Sequence, residues 1–229
     1  MILQEKNVGA KRNWLDLIES PKGKYIAYFE GDDYWIDPLK LDKQVKFLEE
    51  NANYSACCSN VFEEYEDGQK KIASGKSTIT LNDLAYGNII YTSSVLYRNI
   101  IDLPSWLNQC KMGDWILWLL LAQKGPIFKF EEQMCVYRIH NNSLWSSAGK
   151  EKNLKDIILT YEILFKNLNH DVKKELKRGA NIHYNQLLEM LMQTKSPDFF
   201  WWYKKALLLD GDTRKIRYLF RYLRNKLIA

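Results

Sequence analysis

Residues 23–35 read GKYIAYFEGDDYW, and this stretch decides the fold. Its first part, residues 24–29, is a short β-prone run that is apolar enough to form a buried strand. The run ends at Glu30, Asp32 and Asp33, which place three carboxylates within four residues. Because ligands of open α/β sheets bind at the carboxyl ends of strands, the stretch predicts an α/β sheet with an acidic ligand site.

Three neighbouring carboxylates repel one another unless a cation lies among them. A hard divalent ion with oxygen ligands, Mg²⁺ or Mn²⁺, is the natural partner of such a cluster. The alternative is a solvated acidic turn that precedes a helix. Asp37 and Pro38 predict the start of that helix as its N-cap and first residue, and Leu41, Val45 and Leu48 predict its apolar face.

The pattern around this stretch alternates between strands and helices up to about residue 148. The predicted strands are 54–62, 93–98, 127–130 and 134–139, and the predicted helices are a short one from residue 80 and an apolar one over 114–124. From residue 150 onward the apolar spacing is helical. We therefore expect two domains, residues 1–148 and 149–229.

Composition and charge limit the class of protein. The 229 residues are 46% hydrophobic and 27% charged, which is typical of a globular chain. The longest apolar run, residues 115–122, is too short to cross a bilayer. Residues 1–150 carry a net charge of −2, and residues 151–229 carry +7. The acidic front part favours a metal-centred site over direct binding of nucleic acid.

The four cysteines, Cys57, Cys58, Cys110 and Cys135, lack the spacing of a metal site. Vicinal thiols inside an apolar run usually serve as small core residues. Together with the absence of a secretory signal pattern, this predicts a reducing, cytoplasmic environment.

Several segments resemble glycosyltransferase family 2 in the family's own order. Residues 23–35, followed by Asp37-Pro38 and a Lys40-Leu41…Gln44 helix, resemble the family's metal-binding segment. The other matching segments are the Asn7-x-Gly9…Arg12-Asn13 stretch, the strand of residues 88–98, the Met112-Gly113-Asp114-Trp115 segment, and the Tyr137-Arg138-x-His140-x-x-Ser143-x-Trp145-Ser146 signature. The resemblance covers residues 7–146.

The resemblance implies a GT-A fold and the transfer of a sugar from a nucleotide-sugar donor to an acceptor hydroxyl, with inversion. Asp114 would be the catalytic base, and Asp32 and His140 would bind Mn²⁺ or Mg²⁺. The nucleotide sugar would be bound by Asn7, Arg12, Glu30, Asp33 and Arg138. The acceptor, a glycan or a lipid-linked sugar, would contact Trp35, Ser94, Trp115 and Trp145.

Each of these roles has a plainer structural alternative. Asp114 opens an apolar helix and would serve there as an N-cap. His140 is one of three histidines in the chain, and a lone histidine is usually structural. The tryptophans would pack in a core rather than stack on sugar rings.

Members of the family begin with a strand-helix-strand unit that has no counterpart before Asn7. We therefore expect a partial GT-A (Rossmann-like) mixed sheet that lacks its first strands and is followed by a C-terminal α-helical region. An inactive remnant that acts only as a binding or membrane-surface module is the alternative function.

Residues 198–229 interleave basic and aromatic side chains. Asp212 is predicted to cap a final helix with Ile216, Leu219, Phe220 and Leu223 on one face, and Arg217, Arg221 and Arg224 on the other. Such a helix suits the surface of an anionic membrane. We therefore expect either a peripheral position at the cytoplasmic face of a membrane or a helical hairpin with a solvated basic face.

Overall fold

The computed structural model describes residues 4–141, 143, 145, 147–168 and 170–227. The chain divides into two compact units, Met1–Ser146 and Ser147–Ala229, called here the N-terminal and C-terminal units. The first unit is α/β and the second is helical. The fold is therefore α/β with C-terminal helices, as predicted, and it is consistent with a partial Rossmann-like GT-A fold.

A mixed sheet of seven strands, counted over the described residues, organises the N-terminal unit. The strands are β1 (Tyr25–Ala27), β2 (Tyr34–Trp35), β3 (Ala56–Tyr65), β4 (Lys70–Ala73), β5 (Thr78–Ile79), β6 (Leu96–Arg98) and β7 (Ile127–Ile139). Their main order is β1-β6-β3-β7-β2, with β4 added to β3 and β5 added to β7. The β3–β7 pair is parallel, and the other pairs are antiparallel.

The long central strand β7 differs from the two separate strands that the sequence predicts. The polar residues 131–133 interrupt the alternation, but the chain stays in the sheet because the β3–β7 register shifts on either side of Asn60. The Asn60 side-chain amide donates a hydrogen bond to the Glu131 carbonyl at 2.8 Å, which holds the irregular step. The predicted strand over 93–98 is also shorter. Its first part is a 3₁₀ turn, Thr92–Ser94, in which the Ser94 hydroxyl bonds to the Tyr91 carbonyl.

The helices of the N-terminal unit are α1 (Ala10–Glu19), α2 (Lys40–Glu50), α3 (Leu81–Leu84) and α4 (Gly113–Ala122). Helix α4 is apolar on nearly every side and lies in the core, with Trp115 and Trp118 fully buried. Helix α2 begins later than predicted, because Asp37 forms a turn with the Leu39 amide instead of capping the helix.

The buried face of α2 was also predicted wrongly in part. Lys40, Gln44 and Leu48 form it, whereas Leu41 is exposed. The polar members of this face are buried because their side chains bond within the unit, as described below.

The C-terminal unit consists of α5 (Lys150–Asn167), α6 (His170–Gln193), α7 (Phe199–Asp210), a 3₁₀ turn (Thr213–Lys215) and α8 (Ile216–Leu227). Its buried side chains include Leu164, Leu187, Phe199, Trp202 and Tyr222. The rings of Phe199 and Tyr222 stack with centroids 4.1 Å apart, which ties α7 to α8. Asp212 bonds to the Arg214 amide and so begins the 3₁₀ turn that leads into α8.

All four cysteines are free and buried, in agreement with the sequence-based interpretation. No helix within the described ranges has both the length and the apolar character needed to cross a membrane.

We predict that Gly125→Ala destabilises the N-terminal unit. A Cβ at this position would collide with the Asn53 backbone carbonyl oxygen, which cannot move like a side chain. The expected loss in the free energy of unfolding is about 1–3 kcal/mol, measured by urea denaturation. Gly31→Ala is the matched control, since a Cβ there meets nothing within 4 Å. Equal stability of the two variants would contradict the predicted close contact.

Candidate functional site

The acidic loop between β1 and β2 forms one side of the candidate site. The Asp33 amide donates to the Glu30 carbonyl at 3.2 Å, so the loop turns tightly between its carboxylates. Asp33 is buried, whereas the Asp32 side chain is 44% exposed. The loop therefore presents Asp32 toward solvent and holds Asp33 inside.

The C-terminal end of β7 meets this loop directly. The Arg138 amide donates to Asp33 Oδ1 at 3.0 Å, and His140 Nε2 lies 3.2 Å from Asp32 Oδ2. The antiparallel β2–β7 register places Tyr34 opposite Val136, so the residues just before β2 lie beside the end of β7. The structure thus brings Asp32 and Asp33 together with Arg138 and His140, although the two pairs are about a hundred residues apart in sequence.

Asp114, at the start of α4, lies near enough to the acidic loop for its negative charge to act on Glu30. It lies in the first turn of the helix rather than at the N-cap, which is Met112, so its predicted capping role is wrong. The Asn88 side-chain amide donates to Asp114 Oδ2 at 2.7 Å and orients the carboxylate. A Cβ at Gly113 would collide with the Trp14 ring, so α1 packs closely against the backbone beside Asp114.

The electrostatics show that these carboxylates influence one another. Burial, together with the negative charges of Asp114, Asp33 and Asp32, raises the pKa of Glu30 to about 7. Burial also raises the pKa of Asp114, while hydrogen bonds from the Trp115 amide and from Asn88 oppose that shift. Perturbed pKa values of this kind are typical of functional sites.

Asp33 is the most enclosed member of the cluster. Burial raises its pKa, and the nearby Ser93 hydroxyl and the Arg138 amide oppose the shift. Its Oδ2 atom and the Ser93 hydroxyl oxygen are both buried, and neither has a hydrogen-bond partner of standard geometry among the described residues. A buried carboxylate oxygen without a donor is costly, so it favours a cation or a donor group beside it.

Among the described residues, the site offers a divalent cation only two side-chain ligands close together. No group of three or more His, Cys, Asp or Glu side chains placed to hold a metal occurs within the described part of the chain. Asp32 and His140 nevertheless supply a carboxylate oxygen and an imidazole nitrogen at one point. One or two protein ligands suit Mg²⁺, which keeps waters and binds substrate phosphates for its remaining coordination.

Sequence reasoning missed a polar network behind the acidic loop. Lys40 is buried, and its ammonium lies 4.4 Å from the centre of the Trp35 ring and donates to Gln44 Oε1 at 2.8 Å. The Gln44 amide donates to the Ser94 carbonyl at 2.8 Å, and the Trp35 indole N–H donates to the Ser93 carbonyl at 2.9 Å. This network fixes the Thr92–Ser94 turn against α2. The sequence does contain a signal for this network, because Lys40, Gln44 and Leu48 are spaced four residues apart and so share one face of the helix.

Two of the side chains predicted to contact the acceptor lie in the core. Trp115 is fully buried and its indole N–H donates to the Leu84 carbonyl, and Ser94 is buried with its hydroxyl bonded to Tyr91. Trp35 is 36% exposed and Trp145 is exposed, so both are accessible to a ligand. Ser146, the last residue of the sequence signature, lies outside the described residues.

Asn7 and Arg12 are the predicted nucleotide contacts at the start of the chain. Among the described residues, neither has a hydrogen bond or ion pair to the cluster shown by the structure. Asn7 accepts from the Gly9 amide at 2.9 Å and so shapes the entry to α1. The exposed Arg12 side chain pairs with Asp16 on the same helix. Their nucleotide-binding role stays a prediction.

The chain is similar to a small set of known proteins. No protein-family model matches it. It is 38% identical over 158 residues to an uncharacterized protein of Mycobacterium tuberculosis, a match that covers 66% of this chain and 45% of the relative. The chain spans about half the length of the curated relatives it matches.

Two more distant relatives have glycosyltransferase names. One, TuaG of Bacillus subtilis, is named for teichuronic acid biosynthesis and is 28% identical over 66% of this chain and 60% of its own length. The other, WfaP of Escherichia coli, is 31% identical over 58% of this chain and 52% of its own length. WfaP is named as a β-1,3-glucosyltransferase that uses UDP-Glc and α-D-GlcNAc-diphosphoundecaprenol. These relatives support a relationship to glycosyltransferases.

We predict that the stability of Glu30→Gln, measured relative to wild type, increases as the pH rises. Unfolded Glu30 ionises near 4.5, whereas the folded chain holds the proton until about pH 7. Between these two pH values, folded wild type therefore binds more protons than the unfolded chain. Its free energy of unfolding falls by on the order of 2 kcal/mol as the pH rises through this range.

The measurement is urea denaturation of both proteins across that pH window, in the presence of a chelator. The glutamine variant should lack this fall in stability. Glu19→Gln, on the exposed end of α1, is the control and should follow wild type. A stability difference between Glu30→Gln and wild type that does not change with pH would contradict the raised pKa.

Proposed function

We propose that the N-terminal unit transfers a sugar from a nucleotide-sugar donor to an acceptor hydroxyl, with metal assistance and with inversion at the anomeric carbon. The observation that carries the proposal is the cluster at one end of the sheet. There, Asp32 and Asp33 from the β1–β2 loop meet Arg138 and His140 after β7, and the negative charge of Asp114 at the start of α4 acts on Glu30 of the same loop. The glycosyltransferase names of two relatives support the same class of reaction.

Asp32 and His140 are the residues that would hold Mn²⁺ or Mg²⁺. When bound, such an ion neutralises the charge that grows on a diphosphate leaving group. The Arg138 guanidinium, whose side chain is 53% exposed, would pair with the same phosphates. Glu30 and Asp33 would shape the donor pocket from inside the loop.

Asp114 would act as the general base. The acceptor oxygen attacks the anomeric carbon and forms the new glycosidic bond, while the bond to the nucleoside diphosphate breaks with its electron pair. The hydroxyl proton passes to the Asp114 carboxylate. A single displacement of this kind inverts the anomeric centre and needs one base, and the raised pKa of Asp114 makes this carboxylate a stronger base than an ordinary aspartate.

The acceptor class follows from the exposed aromatic surface and from the relatives. Trp35 and Trp145 present exposed rings, and aromatic faces stack on sugars. We propose a glycan or a lipid-linked sugar as the acceptor, in line with the diphosphoundecaprenol substrate in the name of WfaP. The alternative is a chain that acts only as a binding or membrane-surface module and does not turn the donor over.

We predict that Asp114→Asn lowers turnover about 10²–10⁴-fold while the affinity for the nucleotide sugar changes little. Asparagine keeps the shape and the Asn88 contact, but it cannot take the acceptor proton. Sugar transfer from a panel of nucleotide sugars, with Mn²⁺ and lipid-linked or glycan acceptors, measures turnover. Calorimetry measures donor binding.

Asp102→Asn, at an exposed position of the same unit, is the control and should retain full activity. Turnover of Asp114→Asn within a few-fold of wild type would contradict the base assignment. Donor binding by a wild-type chain without turnover would favour the binding-module alternative.

A further inference from the structure

The last helix of the C-terminal unit has an apolar stripe on its solvent side. Tyr218 and Tyr222 are buried and anchor α8 in the unit. The α8 stripe, defined as Ile216, Phe220 and Leu223, is exposed by 49%, 63% and 41%. At 3.6 residues per turn these three side chains fall within an arc of about 60° on the far side of the helix from the tyrosines. Packing within the unit therefore leaves this stripe uncovered.

Basic side chains flank the stripe, and α8 has no acidic residue. Arg217 and Arg224 lie along one edge of the stripe and Lys226 along the other, and Arg221 lies farther round on the arginine side. These four side chains are exposed. The helix thus combines a narrow apolar stripe with basic side chains along both of its edges.

Helix α7 also presents exposed aromatic side chains beside a basic residue. The Phe200 ring lies 5.2 Å from the Tyr222 ring of α8, and Phe200 and Trp201 are 48% and 54% exposed. The Lys205 ammonium lies 4.2 Å from the centre of the Trp201 ring and also pairs with Glu162 at 2.7 Å. Aromatic side chains beside lysine and arginine suit the headgroup region of a bilayer, where one end of the side chain is apolar and the other polar.

We propose that this surface binds an anionic lipid membrane, with α8 lying in the interface. The α8 stripe enters the boundary between headgroups and acyl chains, and the basic rim pairs with lipid phosphates. Charge complementarity selects this occupant. A second copy of the chain would bring two positive helices face to face, and a neutral surface would leave the arginine rim unpaired.

Membrane binding is independent of sugar transfer, so vesicle sedimentation tests it without an activity assay. Purified chain is sedimented with vesicles of phosphatidylcholine alone and with mixtures of increasing phosphatidylglycerol content. Bound protein should rise with the anionic lipid and fall with added salt, because salt screens the charge attraction. No binding to anionic vesicles, or equal binding to neutral ones, would overturn the proposal.

Two variants locate the surface. Replacing Ile216, Phe220 and Leu223 together by Gln should weaken vesicle binding more than about tenfold, because the inserted apolar area is lost. Replacing Arg217, Arg221 and Arg224 together by Gln should weaken it about a hundredfold at low salt, at about fivefold for each arginine.

The matched control replaces three exposed isoleucines elsewhere, Ile72, Ile100 and Ile182, by Gln and should bind like wild type. Circular dichroism checks that each variant keeps its helices. Undiminished binding by both α8 variants would overturn the proposal. So would sedimentation velocity showing that the α8 stripe joins two copies of the chain while vesicles are ignored.

Discussion

The antiparallel pairing of the two-residue strand β2 with β7 is the constraint on which the candidate site depends. Tyr34 opposite Val136 and Trp35 opposite Cys135 fix the register. One step beyond this ladder, the Arg138 amide bonds to the Asp33 carboxylate, and His140 lies against Asp32. Since side chains alternate between the two faces of a sheet, a slip of one residue would turn these groups to the other face. A very short strand therefore sets the geometry of the whole acidic cluster.

Strand β2 is stabilised by side chains of α2 that have no direct role in the proposed chemistry. Buried Lys40 lies over Trp35 and bonds to Gln44, which in turn holds the Ser94 carbonyl. Burial lowers the pKa of Lys40, so placing this ammonium inside costs stability unless its contacts compensate. Buried polar networks of this kind rigidify a site when each member has a partner. The loop and the Thr92–Ser94 turn are thus held together by side chains of a single helix.

Sequence reasoning could predict the acidic residues because their pattern is local. Three carboxylates directly after an apolar run, and an aspartate at the start of an apolar helix, are visible without a structure. The pairing of Asp32 with His140 was predicted through family resemblance, since no local pattern joins residues so far apart. The continuous strand β7 was missed because its irregular step depends on a partner strand. The burial of Trp115 and Ser94 could not be predicted, because residue type alone does not distinguish a ring or hydroxyl that contacts a sugar from one that lies in the core.

We propose that Asp32 and His140, together with Arg138, form a metal-dependent site for a nucleoside diphosphate. Isothermal titration of a panel of nucleoside diphosphates, with and without Mn²⁺, tests it most directly. We expect one of them to bind only when Mn²⁺ is present, and we expect Asp32→Ala to weaken this binding by about tenfold or more. Binding that is the same without the metal, or that survives unchanged in Asp32→Ala, would contradict it.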